Sequence, residues 1–218
     1  MMNRDTQVWS SSYAMPMVDL VACRYLALGD SYTCGASVAA ELRWPTQLTR
    51  HLQALGVPMR PPTILADSGW TTAELLSAYY ESGISGLFDL VSLQVGATNL
   101  ERGLSLQQFE RELDELLAVA VVRAGGRAHR VMVLSIPENG RDATIDNGDR
   151  ADSAHTIQAF NEVIERRALA ARVAYFDVNK SHHCRMTGSR RPARDASWAE
   201  TYTRWVDAVW PFAADALT

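Results

Sequence analysis

Lysine is almost missing from this chain of 218 residues. Lys180 stands alone, and arginine supplies the rest of the 21 basic side chains. Against 25 acidic residues the formal net charge is −4 at pH 7. That excludes the strongly basic surface of a nucleic-acid binder, and the arginine preference reads as a GC-rich coding bias. Cysteine is scarce too: Cys23, Cys34 and Cys184 are an odd number at irregular spacing. They build no disulfide framework and suit a reduced, cytoplasmic setting. No apolar run approaches the roughly 20 residues that span a bilayer. The segment Met1 to Asp19 is polar, contains Asp5, and lacks the basic start and long apolar run of a secretion signal. The expectation is a cytoplasmic protein with neither a membrane nor a nucleic acid as partner.

The remaining composition, 47% apolar and 21% charged, is that of a globule with a real core. Residues 1–23 are expected as an N-terminal extension and 24–218 as one domain. Short runs rich in Val, Ile, Leu or Tyr predict strands at Tyr25–Leu28, Thr63–Ala66, Leu90–Val95, Val131–Ile136 and Val173–Val178. Amphipathic stretches predict helices around Trp44–Leu55, Thr72–Tyr80, Leu106–Ala124, Ser153–Ala170 and Trp198–Ala214. Thr71-Thr72-Ala73-Glu74 and Ser105-Leu106-Gln107-Gln108 have the form of capping boxes. Gly56 and Gly125-Gly126 fall where helices would end. Alternating strands and helices imply right-handed crossovers and a three-layer α/β/α sandwich on a parallel sheet.

In such a sheet the site lies beyond the carboxyl ends of the strands. That rule selects Ser31, Asp67 to Gly69, Gly96 to Asn99, Glu138-Asn139 and Asn179 to Cys184. It sets aside His129, which precedes a strand, and His51, in mid-helix. The first strand stops at Gly29-Asp30-Ser31. A serine so placed can attack a carbonyl if a base takes its proton and donors hold the oxyanion. The G-x-S-x-G elbow is absent, since Thr33 stands at its second glycine. There is no Walker A lysine or Rossmann glycine pattern. His182-His183-Cys184 lacks the spacing of a zinc site. The expectation is no cofactor, no metal and a small-molecule substrate or ligand.

Three further segments accompany Gly29-Asp30-Ser31. Ala66-Asp67-Ser68-Gly69-Trp70-Thr71-Thr72 follows the second strand, and Gln94-Val95-Gly96-Ala97-Thr98-Asn99 the third. Arg194-Asp195-Ala196-Ser197-Trp198 opens the last helix. Their order and spacing resemble the SGNH or GDSL hydrolase family over roughly Arg24 to the C-terminus. Arg102-Gly103-Leu104-Ser105-Leu106 and Leu134-Ser135-Ile136-Pro137 are also similar to members of that family. The resemblance implies a flavodoxin-like five-stranded sheet of order 2-1-3-4-5. It also implies acyl chemistry on an ester, thioester or acylated small molecule. By that resemblance Ser31 is the nucleophile, and its amide and that of Gly69 are oxyanion donors. Asp195 is the acid that orients the base.

Two positions depart from the family pattern. The third block normally reads Gly-x-Asn, but here Thr98 follows Ala97 and Asn99 comes one place later. Either Thr98 or Asn99 would complete the oxyanion hole. The fourth block normally reads Asp-x-x-His, but Trp198 stands three residues after Asp195. An indole only donates and cannot take a proton from serine. Losing an oxyanion donor costs about 10²–10³ in rate. Losing the base costs roughly 10⁴–10⁶. His183 or its neighbour His182 would be the substitute base, with His155 and Glu138 as weaker alternatives. Asp30, Trp70 and Trp198 are expected around the pocket, and Cys34 is expected as a small core residue. Two functions follow. One is a divergent acyl-handling enzyme with weak or absent esterase activity, repurposed for cyclisation, dehydration or acyl transfer. The other is an inactive binding module on the same fold.

Overall fold

The computed structural model describes residues 22–138, 149–180 and 198–218. Its centre is a sheet of β1 (Tyr25–Gly29), β2 (Thr63–Ala66), β3 (Leu90–Gln94), β4 (Val131–Leu134) and β5 (Ala174–Phe176). All neighbours pair in parallel, in the order β2-β1-β3-β4-β5. The three inner strands are buried at every residue. That is why they read as largely apolar runs, broken only by the buried Ser92 and Gln94 of β3, since helices cover both faces of a parallel sheet.

Successive strand residues feed opposite layers, as a period of two requires. Leu26, Leu28, Val91, Leu93, Val131 and Val133 face one core, with α3 (Thr72–Glu81), α5 (Leu106–Arg123) and α6 (Asp149–Ala171) packed on it. Tyr25, Ala27, Leu90, Met132 and Leu134 face the other, under α2 (Trp44–Ala54) and α7 (Trp198–Leu217). The result is a three-layer α/β/α sandwich. Two short helices, α1 (Ser31–Cys34) and α4 (Ala97–Glu101), sit directly after β1 and β3. Tyr32, on α1, touches both cores. Among the described residues no helix is long and apolar enough to cross a membrane.

The predicted elements differ from the observed ones mainly at their ends. β5 keeps three residues of the expected Val173–Val178, and α6 starts at Asp149 rather than Ser153. The last helix continues through Pro211 to Leu217. An interior proline costs about 3 kcal/mol. Trp205, Val206 and Val209 are all buried on this helix. Each contributes about 1.5–3 kcal/mol of apolar burial, which outweighs the proline. The Thr71–Glu74 capping box is complete in both directions. At Ser105 the hydroxyl accepts the Gln108 N–H at 3.2 Å.

Candidate active site

The site begins where β1 ends. Gly29 pairs with Ala66 on β2 and with Gln94 on β3, so three strands finish at one level. A Cβ on Gly29 would lie 2.2 Å from Thr33 Oγ1 and 2.5 Å from the Gln94 carbonyl oxygen. No side chain fits there, and the chain turns tightly enough to put Ser31 at the sheet's rim. Asp30 fastens the turn. Its N–H donates to the Gln94 carbonyl at 3.1 Å. Its Oδ1 accepts the Tyr32 N–H at 3.1 Å, capping α1. Its Oδ2 accepts the N–H groups of Gly96 at 3.1 Å and Ala97 at 3.3 Å. Asp30 is only 1% exposed, so it lies beneath the pocket that the sequence assigned it to line. Burial pushes its carboxyl up to about 7, against the pull of those three amides.

Ser31 opens α1 and is half-buried. No described side chain hydrogen-bonds its hydroxyl. The histidines within the described residues are committed elsewhere. His51 lies 5.0 Å from the Trp210 ring. His129 sits in a short 3-10 turn ahead of β4, and His155 is exposed on α6. Glu138 follows β4, where its N–H donates to Asn179 Oδ1 at 2.8 Å. The remaining expected partners, Asp195, His182 and His183, lie outside the described residues, as does Cys184. Cys34, at the end of α1, is a free, half-buried thiol. Among the described residues no cluster of His, Cys, Asp or Glu could hold a metal ion.

Gly69 lies in the turn between β2 and α3 with φ of +82°. This is the left-handed region that glycine tolerates best. Nothing stands within 4 Å of the Cβ it lacks, so the turn needs glycine for its backbone and not for space. Across from it, α4 carries Thr98 and Asn99, both buried. The Asn99 carboxamide is turned to Thr72. Its Oδ1 accepts the Thr72 N–H at 3.0 Å, and its Nδ2 donates to Thr72 Oγ1 at 2.7 Å. Thr72 Oγ1 in turn donates to Glu112 on α5. The Thr98 hydroxyl has no hydrogen-bond partner among the described side chains.

Trp198 opens α7, half-exposed, with its ring 5.6 Å from Tyr32 and 5.8 Å from Tyr202. Tyr32 is the residue after Ser31 and also meets Trp205 at 6.1 Å. Trp198 of the fourth block therefore reaches Tyr32 of the first through tilted ring contact. Trp70, after Gly69, is half-buried against the core on the α3 side.

The arrangement can supply two backbone donors, the N–H groups of Ser31 and Gly69, and a serine hydroxyl that no described side chain bonds. Thr98, one residue past the Asp30–Ala97 bond, adds a side-chain hydroxyl. Sequence reasoning overlooked Tyr32, Thr72 and Arg102. Arg102 donates to the Gly69 carbonyl at 2.8 Å and to Glu74 Oε1 at 3.0 Å. The signal for Arg102 was present as part of the Arg-Gly-Leu-Ser-Leu string, but nothing in that string points to the turn after β2.

Comparison with known proteins identifies the family and the fold. The family described as GDSL-like Lipase/Acylhydrolase matches residues 27–202. Among curated proteins none matches the sequence. Several solved structures share the fold. TesA superposes with a TM-score of 0.66 at 20% identity, over 89% of this chain and 99% of its own. An extracellular lipase from Streptomyces rimosus gives 0.61 at 22% identity, over 89% and 100%. The lipase/acylhydrolase from Enterococcus faecalis gives 0.60 at 17% identity, over 87% and 96%.

Proposed function

The chain belongs to the GDSL-like lipase/acylhydrolase family, and from that premise we propose that it handles an acylated small molecule, an ester or thioester, at Ser31. Ordinary hydrolysis is weak or absent in this reading, because the residue in the base position is Trp198. The observation that carries it is the pairing of these two residues. Ser31 presents a hydroxyl with no described hydrogen-bond partner at the rim, while the Trp198 ring packs 5.6 Å from its neighbour Tyr32. Attack by Ser31 Oγ on a carbonyl would put negative charge on the carbonyl oxygen. The amides of Ser31 and Gly69, with the Thr98 hydroxyl, are the donors for it. Those donors also serve reactions that polarise a carbonyl without needing a full triad. Cyclisation, dehydration or acyl transfer in a biosynthetic route are such reactions. The ligand in this reading is a small molecule met in the cytoplasm.

A binding-only role is the second reading, favoured by the commitment of the Asn99 amide to Thr72. A fluorophosphonate probe separates the two, because it reacts with an activated serine and little else. Stoichiometric labelling, located at Ser31 by peptide mass and abolished in Ser31→Ala, is the expected result. Labelling of the wild-type chain no faster than of Ser31→Ala would remove covalent acyl chemistry at Ser31 and leave either noncovalent polarisation of a carbonyl or binding alone.

A further inference from the structure

Asn99 on α4 and Arg102 just after it spend their polar groups on the turn that carries Gly69. Arg102 Nη2 donates to the Gly69 carbonyl at 2.8 Å, and its Nη1 to Glu74 Oε1 at 3.0 Å. Glu74 is itself tied to the turn, its Oε2 accepting the Thr71 N–H at 2.7 Å and the Thr71 hydroxyl at 2.9 Å. Asn99 then holds Thr72 by both ends of its carboxamide. On the other side of Gly69, the Ser68 N–H donates to Asp67 Oδ1 at 2.7 Å. Consecutive peptide planes are rigid, so the chain moves only by rotating them about the Cα atoms. Asp67 fixes the plane before Ser68, and Arg102 fixes the plane after Gly69. The plane between them carries the Gly69 N–H. Glycine at φ +82° resists such rotation least of all residues.

We propose that Arg102 is a positioning residue that aims the Gly69 N–H at the acyl oxygen, with Asn99 steadying the far end of the same turn. This rests on the acyl-handling reading of Ser31 given above. It assigns to the third block a role exerted through the second. Arg102 and Glu74 are about half-exposed, with side chains 50% and 42% accessible. An exposed pair of this kind is worth about 0–1 kcal/mol to the fold, so its removal is a clean perturbation.

The test compares the wild-type chain with Arg102→Met, Arg102→Lys and Ser31→Ala by ¹⁵N relaxation and by the rate of fluorophosphonate labelling. In the wild-type chain the Gly69 amide should be as rigid as the sheet, with an order parameter of about 0.85. In Arg102→Met it should fall below about 0.6, while α3 amides and the melting temperature hold. Labelling should slow about tenfold, a fraction of the 10²–10³ that a fully lost donor costs. Arg102→Lys should recover part of both. An unchanged Gly69 order parameter overturns the assignment, and so does a loosened Gly69 with unchanged labelling. If the wild-type chain labels no faster than Ser31→Ala, the acyl reading of Ser31 falls. The relaxation data then decide the role of Arg102 in the turn by themselves.

Discussion

The site has two halves of different origin. At the ends of β1 and β2 its proposed donors are backbone, the amides of Ser31 and Gly69, in turns where Asp30 accepts the Tyr32 N–H and Arg102 donates to the Gly69 carbonyl. At α4 and α7 they are side chains: Thr98 where the family has an asparagine, and Trp198 where it has a histidine. Backbone donors come with the fold, because any sequence that makes these turns supplies them. Side-chain donors and bases can be lost by one substitution each, with the sheet undisturbed. A match in fold over nearly the whole length of TesA therefore shows the turns in which the first half would sit and is silent on the side chains of the second.

The comparison breaks most sharply at Asp30. Asp30→Ala strands three amides, those of Tyr32, Gly96 and Ala97, of which each costs about 1–3 kcal/mol when buried unpaired. We expect a loss of about 4 kcal/mol in urea unfolding, and a loss under about 1 kcal/mol would mean that the clip does not hold the backbone half together. The wild-type chain should also show a slope that the variant lacks. The folded carboxyl, pushed up by burial to about 7 from an ordinary 3.8, binds its proton more tightly than the unfolded one. That contribution to stability is complete below 3.8 and is lost as the pH rises through 7.

The side-chain half is tested by putting the base back. Trp198→His should raise hydrolysis of a p-nitrophenyl ester about hundredfold. This is a partial return on the 10⁴–10⁶ that a base is worth in an optimised triad. No gain, in a variant that still folds, would show that position 198 no longer communicates with Ser31. The smallest effect belongs to Gly69→Ala. With nothing within 4 Å of the new methyl, the cost is backbone strain alone, about 1–2 kcal/mol. A loss above about 3 kcal/mol would mean that the turn has a steric role as well.

Much of the fold was legible because it follows from local patterns. Buried strands such as Val131–Leu134 are continuous apolar runs, and the Thr71–Glu74 box marks a helix start within four residues. The chain's endpoints were less so. α7 passes Pro211 because its packed face outweighs a local penalty, which only tertiary contact reveals. In the site, the places of Ser31 and Gly69 were readable because each follows a strand end, while the roles proposed for them came from the family resemblance. Asn99 was not, since its partner Thr72 is 27 residues away and a one-residue shift decides which of two buried side chains faces it. Arg102 was missed for the same reason: its charge says nothing of the carbonyl 33 positions earlier that it holds.

The scarcity of lysine has a practical consequence. Lys180 is the one side-chain amine in the chain. It is 80% exposed and sits 3.3 Å from Asp177, just beyond β5, at the same end of the sheet as Ser31. An amine-reactive dye would attach there, at the rim beyond the edge strand β5 and three strands from β1, without any engineered cysteine. The protein thus carries its own address for a fluorescent reporter, on the same end of the sheet as Ser31.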